Sequence, residues 1–165
     1  MLIVFGGLPG TGKTTIARVL AAKLVATYLR IDAIEQALRS ADVLRTDVGP
    51  SGYAVAQTIA EANLGGSRIV VADCVNPVQA SRDGWRAVAR RAGARLVEVE
   101  IVCSDRQEHE RRVRARKQDI PGFVLPSWES VGCVEYQPWD RPNLVLDTAE
   151  MSAPEAVAHL VQVLS

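Results

Sequence analysis

The sequence is poor in cysteine and histidine. Its three cysteines, Cys74, Cys103 and Cys133, are far apart, form no CxxC pair and do not cluster with its two histidines, His109 and His159. A disulfide framework or a zinc site needs ligands at close and regular spacings. The sequence therefore predicts neither, and we expect buried or incidental thiols.

Net charge and long apolar runs are also absent. Nineteen Lys and Arg residues balance nineteen Asp and Glu residues, so electrostatics gives no reason to expect nucleic acid or an anionic membrane as a partner. No apolar run approaches the roughly 18 to 20 residues that span a bilayer, and the N-terminal run lacks the basic region of a signal peptide. We therefore expect a cytoplasmic protein with no membrane and no nucleic-acid partner.

The chain does contain enough apolar material for one core. Its 165 residues are 48% hydrophobic, which suits a single domain over residues 1–165. Short apolar runs alternate with segments of helical periodicity. Strands are expected at residues 2–5, 27–31, 67–72, 96–102 and 143–146.

Helices are expected between these strands. They cover residues 13–24, 33–39, 53–64, a segment through Trp85 to the stop at Ala92, 106–117 and 128–136, and a last helix opened by the capping box of Ser152 and Glu155. Such alternation predicts an α/β domain with a five-stranded, mostly parallel sheet and helices on both faces.

The most specific motif follows the first expected strand. Residues 7–14 match Gly-x-x-x-x-Gly-Lys-Thr between an apolar run and an amphipathic segment, which is the strand, turn and helix setting of a phosphate-binding P-loop. Its glycines allow φ > 0, so backbone N–H groups can turn toward phosphate oxygens. The motif predicts a P-loop NTPase fold that binds ATP through Gly7, Leu8, Pro9, Gly10, Thr11, Gly12, Lys13, Thr14 and Thr15.

Three side chains at the end of this loop have expected roles in phosphate chemistry. Lys13 can bridge the β- and γ-phosphates, the hydroxyl of Thr14 can enter the shell of a Mg²⁺ ion, and Thr15 can reach the α-phosphate. The N-terminus of the following helix adds unpaired N–H groups and the positive end of its dipole.

Carboxylates follow the expected strands at the edge where ligands of such sheets bind. Asp32 follows the second strand, Asp73 the third and Asp147 the fifth. In phosphoryl transfer a carboxylate can take the proton of the attacking hydroxyl, while another orders Mg²⁺ or its waters. We expect Asp32 to be the base and Asp73 to lie on the metal side.

A basic segment follows the fourth strand. The expected helix 106–117 is polar nearly all round, which is typical of an exposed or mobile element. Arg112 and Arg116 are four residues apart and would share one helical face, so this helix and the loop to residue 126 form a candidate lid over the nucleotide. Arg111 and Arg114 are expected to be solvated, and no interleaved aromatic residues indicate a nucleic-acid surface.

With these motifs the chain resembles the small P-loop kinases related to chloramphenicol phosphotransferase, gluconate and shikimate kinases and the kinase domain of polynucleotide kinase. It is similar to a bacterial subgroup of AAA-family ATPases or kinases. The resemblance implies that Asp32 activates the acceptor hydroxyl, that Arg112 contacts the adenine or the phosphates and that Arg116 is the lid arginine. It also implies that residues near Thr148 border the adenine.

The acceptor is less well defined. Polynucleotide kinases of this group carry an arginine shortly after the aspartate, whereas here the first one is Arg39, which disfavours a 3′-phosphorylated oligonucleotide. Candidates to line an acceptor pocket are Arg45, Asn76, Arg82, Trp85 and Arg86, with Tyr53 or Trp128 as an apolar wall.

The sequence thus predicts an ATP-dependent phosphotransferase that moves the γ-phosphate to a hydroxyl of a small-molecule acceptor. A nucleoside or nucleotide kinase and a non-catalytic ATP-binding regulator remain as alternatives. No pattern in the chain specifies an oligomeric state.

Overall fold

A computed structural model describes residues 1–41, 48–66 and 68–164 of the chain. The strands are β1 Leu2–Gly6, β2 Thr27–Arg30, β3 Val70–Asp73, β4 Leu96–Val102 and β5 Leu144–Asp147. The helices are α1 Lys13–Lys23, α2 Ile31–Ser40, α3 Ser51–Asn63, α4 Gln79–Arg91, α5 Arg106–Ala115, α6 Trp128–Gly132 and α7 Ala153–Leu164.

The five strands form one sheet in the order β2-β3-β1-β4-β5, and its four pairings are all parallel. The expectation of a mostly parallel sheet is therefore confirmed. Asp73 of β3 lies opposite Phe5 of β1 on one side and Arg30 of β2 on the other. This register brings the carboxyl ends of three strands to the same row, directly below the loop that follows β1.

Both faces of the sheet are covered, as a run of five buried residues in β1 requires. On one face Ile3 and Phe5 pack with Ile16 and Leu20 of α1 and with Leu160 of α7. The opposite face carries a second buried cluster, in which Leu2 and Val4 meet residues of α3 and α4. Among the described residues, no helix has the length and apolar character needed to cross a membrane.

Two element boundaries differ from the sequence prediction in a way that affects the site. The second strand ends at Arg30, so Asp32 lies in the first turn of α2 and not in a loop. A carboxylate is favourable there because it faces the positive end of the helix dipole. Helix α5 ends at Ala115, and Arg116 has an extended backbone. Arg112 and Arg116 therefore do not share a helical face.

Smaller boundary errors lie away from the nucleotide loop. Helix α6 is five residues long, shorter than the expected 128–136. The capping box before α7 is confirmed, because the carboxylate of Glu155 accepts from the backbone N–H and the hydroxyl of Ser152 at 2.8 and 2.6 Å. Of the irregular segment expected between residues 40 and 50, residues 42–47 lie outside the described part of the chain.

Helix α4 buries an arginine completely. The guanidinium of Arg82 donates to the backbone carbonyls of Asn76 at 3.0 Å, Pro138 at 2.8 Å and Gln137 at 2.6 Å. It also lies 4.4 Å from the ring centroid of Trp139. Arg82 thus ties the segment after β3 to the segment before β5, and its expected place in an acceptor pocket is wrong.

Two neighbours of Arg82 on α4 are structural as well. Trp85 is fully buried in the core, and Arg86 makes ion pairs at 3.1 Å with Glu98, at 2.9 Å with Asp83 and at 3.0 Å with Asp140. Trp85 is enclosed by the core, and the guanidinium of Arg86 is bound by carboxylates. The expectation that they line an acceptor pocket is therefore wrong for both residues.

We predict that Arg82→Met lowers the free energy of unfolding by roughly 3 kcal/mol or more, because several buried carbonyls lose their donor at once. Urea denaturation measures the change. The matched control is Arg90→Met on the same helix, where an exposed side chain is replaced and a change within about 0.5 kcal/mol is expected. Equal stability of the two variants would contradict a structural role for Arg82.

Candidate active site

The loop between β1 and α1 has the conformation that its glycines predict. Gly7, Gly10 and Gly12 have φ values of 134°, 87° and 92°, which side chains other than glycine rarely adopt. A Cβ on Gly7 would run into the carbonyl of Ile101 in β4. The loop therefore follows a path that only glycine allows, in which backbone N–H groups can turn toward an anion.

Helix α5 supports this loop from one side. Nε2 of His109 lies 2.8 Å from the carbonyl oxygen of Pro9, and because a carbonyl can only accept, Nε2 is the donor. Val113 lies directly against Gly10, and His109 and Val113 are both buried. The expectation that α5 is merely an exposed or mobile element is therefore wrong on this face. The sequence contained one sign of this buried face: His109 lies four residues before Val113, the only large apolar side chain of helix α5.

Lys13 lies at the bottom of a cleft of about 330 Å³. Its residue is only 7% exposed, yet within the described part of the chain its ammonium group makes no ion pair. A largely buried cation is stable only when an anion or water compensates it. The residues lining this cleft are Gly10, Gly12, Lys13, Thr14, Thr15, Arg30, Arg112, Arg116, Lys117 and Asp119.

A second cleft, of about 410 Å³, lies on the other side of Gly12 and Thr15. Residues 148–153, which connect β5 to α7, form its opposite wall. The hydroxyl of Thr148 lies 2.8 Å from the carbonyl of Thr11 in the loop and 3.0 Å from that of Val102 in β4. Thr148 thus fixes the wall of this cleft to the phosphate loop.

Arg112 lies between the two clefts and lines both. Its guanidinium donates to the hydroxyl of Thr148 at 2.8 Å, to the carbonyl of Thr148 at 2.9 Å and to the carboxylate of Glu108 at 2.7 Å. The hydrogen bonds from Arg111 and Arg112 lower the pKa of Glu108 to about 2. Glu108 is therefore ionised at neutral pH and holds Arg112 in place.

Asp32 lies beside Arg116, which lines the phosphate cleft. Nη2 of Arg116 lies 3.7 Å from Oδ2 of Asp32, and Nη2 of Arg30 lies at the same distance from that oxygen. Although Arg116 does not share a helical face with Arg112, both arginines line the cleft above Lys13. The segment after α5 and the carboxylate in the first turn of α2 are thus neighbours.

Asp73 is buried at the end of β3. The hydroxyl of Tyr28 donates to Oδ2 of Asp73 at 2.7 Å, and burial together with the charge of Asp73 raises the pKa of Tyr28. Tyr28 therefore remains a protonated donor that orients the carboxylate, which leaves Oδ1 for another partner.

Sequence reasoning missed the pair formed by Arg30 and Asp119. Arg30 donates from Nη1 to Oδ2 of Asp119 at 2.6 Å and from Nη2 to Oδ1 at 3.1 Å. Its side chain is 6% exposed, whereas that of Asp119 is 39% exposed. The sequence contained one sign of this pair, because Arg30 is a charged residue at the end of a largely apolar strand. Its partner could not be found in the same way, since it lies 89 residues away along the chain.

The other candidate residues lie apart from these clefts. Arg111 and Arg114 are exposed and pair with carboxylates of their own helix, as expected. Asn76 is fully buried and donates to the carbonyl of Phe5. Tyr53 packs against Trp85 with 6.5 Å between ring centroids, and Trp128 packs against His109 at 5.1 Å. Arg45 lies outside the described residues.

We predict that Gly10→Ala lowers the affinity for ATP at least about tenfold, because a Cβ at positive φ costs about 1–2 kcal/mol and would also press on Val113. Isothermal titration calorimetry measures the affinity. Gly132→Ala is the matched control, since nothing lies within 4 Å of the added carbon. A Gly10→Ala protein with unchanged ATP affinity would contradict the assignment of this loop.

Comparisons with known proteins agree with this geometry. The model of the AAA_33 family, described as an AAA domain, matches residues 2–124. None of the curated proteins matches the chain. Among solved structures, a protein assigned as a kinase from Chloroflexus aurantiacus has a TM-score of 0.76 at 20% identity, with 99% of this chain and 94% of that one covered.

Two further structures show the same fold. The adenosine phosphosulfate (APS) kinase CysC of Mycobacterium tuberculosis, in complex with AMPPNP and APS, has a TM-score of 0.70 at 22% identity, covering 99% of this chain and 96% of that one. A gluconokinase from Sinorhizobium meliloti has a TM-score of 0.67 at 20% identity, covering 98% and 94%. With a phosphate loop in the expected conformation and a family match over three quarters of its length, the chain belongs to the AAA_33 family of P-loop proteins.

Proposed function

We propose that the chain is an ATP-dependent phosphotransferase that moves the γ-phosphate of ATP to a hydroxyl group of a small-molecule acceptor. One juxtaposition carries the proposal: Arg116 lines the cleft above Lys13 and also lies 3.7 Å from the carboxylate of Asp32. A cation for the transferred phosphate, at the cleft, and a carboxylate for the attacking hydroxyl are thus neighbours. The structural likeness to APS kinase and gluconokinase supports the same class of reaction.

In the proposed reaction the acceptor oxygen attacks the γ-phosphorus in line with the leaving oxygen. Its proton passes to the carboxylate of Asp32 as the new O–P bond forms, and the bond from the γ-phosphorus to the bridging oxygen of ADP breaks. Lys13 binds the β- and γ-phosphates, while Arg112 and Arg116 stabilise the charge on the transferred group. The cleft bordered by Thr148 takes the adenine.

The donor set at this site also fits a magnesium ion. The hydroxyl of Thr14 and the free Oδ1 of Asp73 are oxygen ligands of the kind that Mg²⁺ prefers, and Tyr28 fixes the orientation of Asp73. When bound, the ion neutralises phosphate charge. The chain itself supplies the loop that holds the phosphates and the lid segment that covers them.

The acceptor is identified by the release of ADP from Mg·ATP in the presence of pools of hydroxylated compounds, namely antibiotics, sugars and sugar acids, and nucleosides. An increase with one pool supports a small-molecule kinase and assigns the class of acceptor. An increase with nucleosides alone would favour a nucleoside kinase. Tight ATP binding without acceptor-dependent ADP release in any pool would favour a nucleotide-binding regulator and contradict the proposal.

We predict that Asp32→Asn leaves the affinity for ATP nearly unchanged and lowers phosphate transfer roughly 10²-fold or more, the usual effect of losing a positioned general base. Calorimetry gives the affinity, and ADP release with the active pool gives the rate. Glu110→Gln, which removes a carboxylate on α5 that pairs with an exposed arginine, is the control and should keep the wild-type rate. Full transfer by Asp32→Asn would remove Asp32 from the mechanism.

Lys13→Ala should weaken ATP binding and transfer together, because the cleft loses its buried cation. The same calorimetric and ADP-release measurements apply, with Lys23→Ala at the exposed end of α1 as the control for loss of a lysine on this helix. Normal binding and turnover in Lys13→Ala would contradict the nucleotide site.

A further inference from the structure

The contact between Arg30 and Asp119 joins the body of the domain to the lid. Arg30 is the last residue of β2, and its side chain is buried. Asp119 lies four residues beyond the end of α5, in the loop that leads to Pro121. The two hydrogen bonds, at 2.6 and 3.1 Å, form the bidentate geometry in which arginine and carboxylate interact most strongly.

The same guanidinium also faces the proposed base. Nη2 of Arg30 lies 3.1 Å from Asp119 and 3.7 Å from Oδ2 of Asp32. It is therefore shared between two carboxylates and hydrogen-bonded only to the first. Without Asp119, the buried guanidinium of Arg30 would keep Asp32 as a neighbouring carboxylate. An ion pair between them would then occupy the oxygen that must accept the proton.

Asp119 is held in a second way. Nη2 of Arg18, on α1, lies 3.4 Å from Oδ2 of Asp119. Hydrogen bonding by Arg30, opposed by partial burial, lowers the pKa of Asp119 overall, so the carboxylate is charged at neutral pH. One lid residue thus binds two arginines of the body beside the phosphate cleft.

We propose that Arg30 and Asp119 are a positioning pair for phosphate transfer: Asp119 anchors the lid loop over the cleft and at the same time draws the guanidinium of Arg30 away from Asp32. The pair acts through the lid and through Asp32 and does not itself exchange protons with the substrate. The effect of Asp119 on Arg30 and Asp32 rests on the proposed phosphotransferase function. The anchoring of the lid loop concerns nucleotide binding alone.

Each half has its own measurement. Release of a fluorescent ATP analogue reports how well the lid covers the cleft and requires no acceptor. ADP production at saturating Mg·ATP, with the active acceptor pool or with water as acceptor, reports the state of Asp32. Asp119→Ala should release the analogue about tenfold faster and lower ADP production about tenfold, the scale expected for a lost bidentate charged contact.

The double variant Arg30→Met with Asp119→Ala separates positioning from simple support. Release should stay fast, because the anchor is still missing. ADP production should rise severalfold above that of Asp119→Ala, because the guanidinium of Arg30 is no longer present to pair with Asp32, and among the described residues Arg116 alone remains as an ion-pair partner of that carboxylate. If the lid contact were only structural, the double variant would be no more active than the single one. That result would overturn the positioning role.

Glu110→Ala is the matched control, since it removes a carboxylate of the same segment that pairs with the exposed Arg114 of its own helix. It should leave release and turnover at wild-type values. Equal release rates in Asp119→Ala and Glu110→Ala would overturn the anchor. A wild-type protein that produces no ADP with any acceptor would remove the proposed function, whereas the comparison of release rates would still decide whether Asp119 anchors the lid.

Discussion

The site depends on the parallel register of three neighbouring strands. Because Phe5, Asp73 and Arg30 lie in one row of the sheet, the loop after β1 emerges beside an acidic side chain from β3, with a basic side chain from β2 one strand further out. A shift of one residue would turn each side chain to the opposite face. Burial of the sheet on both faces therefore fixes the chemistry at its edge as well as the fold.

A second requirement is that the phosphate loop keeps its conformation, although its glycines have backbone angles that other residues rarely adopt. Contacts on three sides stabilise it: His109 and Val113 of α5 pack beneath it, Thr148 binds the carbonyl of Thr11, and the N–H of Gly7 donates to the carbonyl of Val75. Apart from the N–H of Gly7, these contacts use loop carbonyls or apolar atoms. Support of the loop therefore competes little with the binding of phosphate oxygens by its other N–H groups.

The sequence predicts the parts of this site that depend on local pattern. The loop with its glycines, the order of strands and helices, and the capping box of α7 follow from neighbouring residues and were confirmed. Arg30 with Asp119, Arg116 with Asp32, and His109 with Pro9 were not predictable in this way, since each pair joins residues 84 to 100 positions apart. Arg82 was misjudged for the opposite reason: a charged residue suggests an exposed or ligand-binding position, and only the structure reveals the carbonyls that surround it.

The arginines of the chain have different roles, which depend on the hydrogen-bond and ion-pair partners of each guanidinium. Arg82 donates to backbone carbonyls and holds loops together, and Arg86 makes ion pairs with three carboxylates. Among the described residues, the one ion pair of Arg116 is its 3.7 Å contact with Asp32, so its guanidinium has donors left for an incoming phosphate. Arg30 stands between these cases, because its Nη2 lies within reach of two carboxylates. An arginine with unused donors beside the cleft is suited to bind a ligand, whereas a shared one is suited to couple two parts of the protein. This difference in the number of unused donors supports Arg116 as the residue that contacts phosphate and Arg30 as the one that positions its neighbours.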